Sequence, residues 1–142
     1  MAYWLVKSEP DTWSWHQQVA KNIEMWDGVR NHQAAKYLRE MAVGDLCFFY
    51  HSNIGKEIVG IVRVVRTAYT DPTDDKRKFV AVDMQAHQAL NKPVTLAQLK
   101  QDPYFHDMGL IKQSRLSVMP VAQGHWDKII ALSQTVLSSG VQ

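Results

Sequence analysis

The run Leu46–His51 restricts the fold more than any other part of the chain. Its sequence, Leu-Cys-Phe-Phe-Tyr-His, is apolar on both of the faces that alternate along a strand. A strand with one solvated face alternates apolar and polar residues, whereas a strand covered on both faces does not. We therefore predict a central strand with further elements packed on both of its sides.

Four other short runs rich in β-branched and aromatic residues predict further strands, at 3–7, 58–67, 79–84 and 116–121. Gly60 interrupts the second of these runs, and a bulge or sharp bend is expected there. Residues 24–30 contain Gly28 and are expected to be turn-like. The resulting pattern predicts an α+β fold of about five or six strands, as a small curved sheet or barrel with helices on its rim.

Four segments with helical spacing of apolar residues are expected between and after the strands. The first begins near Trp13 with Asp11 or Thr12 as its cap, the second follows Asn31, and the third follows Thr95. The buried sides are expected at Ala34, Ala35, Leu38 and Met41 in the second helix, at Leu96 and Leu99 in the third, and at Trp126, Ile129, Ile130, Leu132 and Val136 in a terminal helix.

Length and cysteine content define the broad class of protein. The 142 residues suit one domain, 1–142, and a chain of this length can bury a core without disulfides. Cys47 is the single cysteine, which excludes an intramolecular disulfide framework and favours a reducing compartment, the cytoplasm or the nucleus, of which we expect the cytoplasm. No apolar stretch approaches the ~18 residues of a spanning helix, so no membrane association is expected, and we expect a monomer.

The charge balance does not favour a general nucleic-acid binder. The formal net charge is +2, and non-specific binding to a polyanion normally rests on a larger excess of cations. Any contact with nucleic acid must therefore depend on a local patch or a specific pocket.

Three segments carry more polar and aromatic character than packing requires. Lys7, Ser8 and Glu9 stand at a strand end, where they form either part of a site or a turn in which Lys7 pairs with Glu9. In residues 26–31, Trp26 is either a pocket wall or core, and Asn31 either contacts a ligand or only caps a helix. In residues 49–52, strand periodicity places Tyr50 and Ser52 on one face and Phe49 and His51 on the other. Arg115 and Ser117 add a basic and a hydroxyl group beside the last strand.

The residues indicate a binding module more than an enzyme. His51 and Ser52 are neighbours on a strand and cannot act together as base and nucleophile. No metal-ligand spacing or phosphate-binding glycine loop is present in the sequence, and neither a metal nor a cofactor is expected. An enzyme acting on nucleic acid through Lys7, Glu9 and His51 is the competing class, and a protein-interaction adaptor is the third.

Four ordered motifs together resemble the EVE domain family. They are the octapeptide at 3–10 (Tyr-Trp-Leu-Val-Lys-Ser-Glu-Pro), the hexapeptide at 26–31 (Trp-Asp-Gly-Val-Arg-Asn) with Ala35 and Leu38, Gly44-Asp45 with 49–52, and 115–118 (Arg-Leu-Ser-Val) with Pro120, Val121 and Trp126. The chain departs from the family after Thr73, where it reaches Phe79 without the longer insertion that relatives often carry.

The resemblance implies a PUA-like fold, a curved β-barrel with peripheral helices related to the YTH domains that hold methylated adenine in RNA. It implies a reader of a modified base in DNA or RNA, with 5-modified cytosine the leading proposal and an RNA-associated role the alternative. The expected site residues are Lys7, Ser8, Glu9, Trp26, Gly28, Val29, Arg30, Asn31, Phe49, Tyr50, His51, Ser52, Arg115 and Ser117.

Overall fold

The computed structural model describes residues 1–137 as an α+β structure built on one mixed sheet. The strands are β1 (Tyr3–Ser8), β2 (Ile23–Trp26), β3 (Leu46–His51), β4 (Glu57–Thr70), β5 (Val80–Thr95) and β6 (Val118–Pro120). The helices are α1 (Trp15–Lys21), α2 (His32–Glu40), α3 (Leu96–Gln101), α4 (Gly109–Lys112) and α5 (Gln123–Leu132), with a 3₁₀ turn at Pro103–Phe105. No helix within residues 1–137 has both the length and the apolar character needed to cross a bilayer.

The sheet has the strand order β2-β5-β4-β3-β1-β6. The first five residues of β3 are buried, so the prediction of a central strand at Leu46–His51 is confirmed. The prediction of a barrel is wrong in one respect, because the two edge strands, β2 and β6, do not pair within the described residues and the sheet stays open. These strands have only four and three residues, and each makes its ladder with one neighbour.

One parallel pair positions the ends of two strands together. β1 and β3 run parallel, with Lys7 opposite Tyr50 and Ser8 opposite His51, whereas the other neighbouring strands are antiparallel. Since both parallel strands end at the same edge of the sheet, the segments that follow them emerge side by side. The polar residues that follow β1 are therefore brought close to the end of β3.

Gly60 creates space above the sheet, at the place where the sequence predicts a bulge. The β3–β4 and β4–β5 ladders both shift register beside it, which confirms the bulge. A Cβ added to Gly60 would lie 2.5 Å from Cζ2 of Trp15, so the indole packs where a side chain would otherwise stand. The same indole contacts Phe49 edge to face, at 5.3 Å between ring centroids. The first residue of α1 is thus seated directly on the sheet.

Two of the three predicted helix caps are confirmed. Asn31 Oδ1 accepts a hydrogen bond from the Ala34 backbone N–H at 2.9 Å, and Thr95 caps α3 in the same way. The predicted cap of α1 is wrong, since Ser14 occupies that position and exchanges hydrogen bonds with Gln17. This reciprocal pair satisfies two backbone N–H donors at the start of the helix. The helix therefore begins at Trp15, later than a cap at Asp11 or Thr12 would place it.

The expected turn at residues 24–30 is corrected in its first half. Ile23–Trp26 forms strand β2, which pairs antiparallel with β5 from Ile23 opposite Gln85 to Trp26 opposite Val82. The partner strand lies far along the chain, so the local pattern around Gly28 gives no sign of this pairing.

The terminal helix is shorter than the sequence predicts. The helix α5 ends at Leu132, so Val136 lies outside it.

Candidate functional site

A cleft of about 530 Å³ opens at the edge where β1 ends. We call residues 9–14, between β1 and α1, the first wall, and residues 27–31, between β2 and α2, the second wall. The lining residues are Lys7, Ser8, Glu9, Thr12, Trp13, Glu24, Met25, Trp26, Asp27, Gly28, Val29, Arg30, Asn31 and Ser117. The volume lies within the range of small-molecule and cofactor pockets.

The second wall is fixed from beneath by the buried carboxylate of Asp71. Its Oδ2 accepts hydrogen bonds from the Gly28 backbone N–H at 2.8 Å and from Arg30 Nη1 at 3.0 Å. Thr73 donates to Oδ1 through both its backbone N–H and its hydroxyl. Gly28 has φ +76°, a conformation that other residues rarely adopt, so the turn requires glycine here.

These contacts also determine the ionisation of Asp71. Burial by itself raises the pKa of this carboxyl, but the hydrogen bonds from Thr73, Gly28 and Arg30 favour the charged form and lower the pKa to about 2. Asp71 therefore stays ionised at neutral pH, and its charge holds Arg30 against the turn.

Neutral hydrogen bonds hold the first wall. The Thr12 and Trp13 backbone N–H groups donate to the Glu9 carbonyl at 2.9 and 2.8 Å. The Ser8 hydroxyl donates to the Trp13 carbonyl. Trp13 is half-buried, and its Nε1–H donates to Gln18 Oε1 at 2.8 Å, which fixes the indole against α1.

His51 supports the first wall from β3. Its Nε2 accepts a hydrogen bond from the Trp15 backbone N–H at 3.0 Å, which requires that nitrogen to be unprotonated. Burial lowers the pKa of His51, and the negative charge of Glu57 partly opposes this effect. Burial thus favours the neutral ring that the contact with Trp15 needs.

Trp26 belongs to the cleft lining and to the core at once. Only 8% of its surface is exposed, and its ring contacts Phe49 edge to face at 5.6 Å between centroids. Phe49 is fully buried beneath it and also contacts Trp15. The sequence left open whether Trp26 is a pocket wall or part of the core. In the structure it is both, since it lines the cleft and is almost fully buried.

Lys7 brings a cation into the cleft. Its Nζ donates to the Ser114 carbonyl at 2.8 Å and lies 5.9 Å from the centroid of the Tyr50 ring. Burial lowers the pKa of Lys7. The alternative in which Lys7 pairs with Glu9 is not observed, since no ion pair joins these two side chains in the described structure.

The structure brings most of the expected site residues together and separates five of them. Lys7, Ser8, Glu9, Trp26, Gly28, Val29, Arg30, Asn31 and Ser117 line the cleft. The residues that do not line it are Phe49, Tyr50, His51, Ser52 and Arg115. As the strand periodicity predicts, Phe49 and His51 share a face and their rings are in contact. Because His51 does not line the cleft, the three residues of the enzyme alternative do not meet in it.

Sequence reasoning missed five lining residues and one support. The lining residues are Thr12, Trp13, Glu24, Met25 and Asp27, and the support is Asp71. The position of Trp13 in a polar loop between a strand and a helix could have indicated it, because binding residues are disproportionately found on loops. Asp71 carries no comparable local signal.

The comparisons with known proteins agree over most of the chain. The family model described as the EVE domain matches residues 2–132. Mouse thymocyte nuclear protein 1 is 33% identical, with 94% of this chain and 74% of the mouse protein covered. That alignment spans 172 residues, more than the 142 of this chain, so the mouse protein carries residues that this chain lacks.

Two solved structures have closely similar folds. An NMR structure of a protein from Rhodopseudomonas palustris is 51% identical, covers 100% of this chain and 99% of its own, and superimposes with a TM-score of 0.90. The crystal structure of human THYN1 in complex with DNA containing 5-methylcytosine is 30% identical, covers 96% of this chain and 99% of its own, and has a TM-score of 0.87. With its ordered motifs, its cleft and these matches, the chain belongs to the EVE domain family.

Proposed function

We propose that this protein is a reader of modified bases, which holds a 5-modified cytosine of a nucleic-acid strand in the cleft between its two walls. The cleft itself carries the proposal, because it combines two indole rings with hydrogen-bonding groups at the end of one strand pair. The human relative that was crystallised with DNA containing 5-methylcytosine supports the choice of base and makes DNA the first polymer to test.

Trp13 and Trp26 supply the aromatic surfaces of the proposed base site. A base removed from its stack loses stacking energy, and an aromatic side chain restores about 1 to 3 kcal/mol per base. Trp13 belongs to the first wall and Trp26 stands at the base of the second. Both indoles line the cleft, so a base held there can contact each of them.

Polar groups around the cleft suit the edge of a base. Asn31 uses Oδ1 for the helix cap and leaves its amide Nδ2–H₂ as a donor. Glu9 is exposed and offers an acceptor, and Lys7 offers further N–H donors beyond the one that the Ser114 carbonyl takes. Cytosine presents both donor and acceptor atoms on its pairing edge, so a site with both types can hold it.

The hydrogen bonds already present in the cleft favour binding over catalysis. The Ser8 hydroxyl donates to a backbone carbonyl, Lys7 donates to another, and Arg30 is committed to Asp71. Each of these side chains holds the cleft in shape. Within residues 1–137, neither Ser8 nor Lys7 hydrogen bonds to a histidine or carboxylate that would activate it as a nucleophile.

Titration with matched oligonucleotides tests the proposal. Single-stranded and duplex DNA with one central 5-methylcytosine are compared with the same sequences carrying cytosine, and RNA of the same sequence forms a third arm. Burying one methyl group adds about 0.8 kcal/mol, so the modified DNA should bind on the order of 4-fold more tightly. With two to four phosphate contacts on a single strand, log affinity should fall with log salt at a slope of about −1.4 to −2.8.

Equal affinity for modified and unmodified strands in every arm would reject the reader function. Tighter binding of the modified RNA than of the modified DNA would transfer the proposal to RNA. A salt slope near zero with retained binding would indicate that the ligand is a free nucleoside rather than a polymer.

A further inference from the structure

A second recess of about 350 Å³ lies beside the cleft, and we call it the side groove. Its polar lining comes from Asn31, Gln33, Lys112, Gln113, Ser114 and Arg115. Asn31 lines both spaces, so the groove and the cleft share one wall residue. The contact of Lys7 Nζ in the cleft with the Ser114 carbonyl in the groove joins them a second time.

Charge is divided unequally between the two spaces. The cleft contains two cationic side chains, Lys7 and Arg30, and three carboxylates, Glu9, Glu24 and Asp27. The lining of the side groove contains Lys112 and Arg115 and no carboxylate. An anion is therefore favoured in the side groove, whereas the cleft suits a neutral group with donors and acceptors.

Most cations near the cleft are already committed to partners within the protein. Arg30 bonds Asp71 and Thr73, and Lys21 pairs with Glu24. In the described part of the chain, the side chains of Lys112 and Arg115 make no ion pair or hydrogen bond, and both are exposed. These two cations line a recess and can accept an external anion without breaking an internal contact.

We propose that the side groove carries the sugar-phosphate backbone of the strand whose base occupies the cleft, with Lys112 and Arg115 contacting its phosphates. The inference rests on the proposed reader function and adds to it the path of the nucleic-acid backbone across the protein surface. The amides of Gln33 and Gln113 can bond sugar and phosphate oxygens, which together receive most protein–DNA hydrogen bonds. A strand turned out at one nucleotide then places base and backbone in adjoining spaces.

The basic segment Lys76, Arg77 and Lys78 is a poorer candidate for this path. None of its residues lines the cleft or the side groove. The Lys78 carbonyl accepts a hydrogen bond from Arg39 Nη2, near the C-terminal end of α2, whereas the side groove meets the N-terminal end of that helix. The ring of the next residue, Phe79, contacts His32 and Arg30, so this segment packs beside the second wall and not in the side groove.

The test measures salt dependence with charge-matched variants. Parent protein, the double variant Lys112→Gln/Arg115→Gln and the control Lys92→Gln/Lys100→Gln are titrated with a single-stranded DNA carrying one 5-methylcytosine, at several salt concentrations. The control removes two exposed cations that line neither space. The isolated 5-methylcytosine nucleoside, which has no phosphate, is titrated in parallel by calorimetry.

The groove variant should show a salt slope shallower by about 1.4 and an affinity for the strand about 25-fold lower at 0.1 M salt. Its affinity for the nucleoside, and both affinities of the control, should match the parent. A parent-like slope and affinity in the groove variant, while the parent still prefers the modified strand, would overturn the side-groove path and leave the reader function intact. An equal loss for nucleoside and strand would also overturn it, and a parent that shows no preference for the modified base would remove both proposals.

Discussion

The two walls of the cleft are fixed in different ways. The second wall is held by a charge, since buried Asp71 accepts hydrogen bonds from Gly28 and Arg30. The first wall is held by neutral contacts, in which Trp13 bonds Gln18 and Trp15 bonds His51. Hydrogen bonds to a charged group contribute about 1.5 to 3 kcal/mol, and neutral ones about 0.5 to 1.5 kcal/mol. We therefore expect the second wall to be the more rigid of the two, and the first wall to move more readily.

Substitution of Trp26 and Trp13 should give the largest difference between the two walls. Trp26→Ala should lower the free energy of unfolding by about 3 to 5 kcal/mol, because the ring is 8% exposed and packs on Phe49. Trp13→Ala should cost clearly less stability, since Trp13 is only half-buried. Stacking predicts a loss of affinity on the order of 5-fold to 150-fold in each variant that remains folded.

Denaturant unfolding and ligand titration on the same preparations give both quantities. Trp13→Phe is the matched control, because it retains an aromatic face and loses the hydrogen bond to Gln18. If Trp13→Ala proves as destabilised as Trp26→Ala, the two walls do not differ in how deeply they are anchored.

Removal of the charge should act mainly on the second wall. Asp71→Ala should lower the free energy of unfolding by about 3 kcal/mol, the lower end for a broken buried pair, since the Arg30 side chain is 39% exposed and can be hydrated. Affinity should fall as well, because Gly28 and Arg30 lose their support. Asp75→Ala, an exposed carboxylate in the same loop, should leave both quantities unchanged.

The pH dependence of stability isolates the same group. The folded state lowers the pKa of Asp71 from 3.8 to about 2, so the unfolded state binds more protons in that interval. Its contribution is complete above about pH 5 and is lost as the pH falls toward 2. A parent and Asp71→Ala with the same acid dependence would contradict this assignment.

Asn31 at the end of the second wall should show a smaller effect. Asn31→Ala should cost about 1 kcal/mol of stability as a lost cap, and about 1 to 3 kcal/mol of binding if its amide donates to the ligand. Asn31→Asp keeps a capping oxygen for the Ala34 N–H but has no amide donor. Retained stability with weakened binding in Asn31→Asp would identify the donor role, and parental binding in both variants would reduce Asn31 to a cap.

The smallest expected effect is a pH response of the first wall. Since the folded state lowers the pKa of His51, the unfolded state binds more protons below about pH 6.5, and the stability that His51 contributes is lost as the pH falls from there. The protection factor of the Trp15 amide against hydrogen exchange, which is its intrinsic rate divided by its observed rate, should fall over that range because this amide donates to His51. His51→Gln, which supplies an uncharged acceptor, should abolish the response, while an unchanged profile would show that His51 does not hold this wall.

Local patterns in the sequence were sufficient for some parts of the fold. The cap at Asn31, the buried strand Leu46–His51 and the bulge at Gly60 depend on the chemistry of a few consecutive residues, and all three are observed. The cleft lining around Lys7 and residues 26–31 was also anticipated, since these polar segments follow strand ends.

Contacts between distant residues explain the parts that were missed. β2 forms because Ile23 pairs with Gln85, and the second wall is fixed because Asp71 reaches Gly28. The residues next to each partner contain no local pattern that predicts either contact. The placement of Tyr50 beneath the Lys7 ammonium group, outside the cleft, likewise follows from the parallel register of β1 and β3.

The missing side chain at Gly60 has a consequence for the aperture of the cleft. Trp15 rests where the Cβ of any other residue would stand, and Trp15 follows the first wall by one residue. A methyl group at position 60 would push the indole away from the sheet, and the first wall would move with it. The width of the gap between the walls therefore depends on Gly60 of β4, which does not line the cleft. Selection for a wider or narrower ligand could act on that strand and leave every lining residue unchanged.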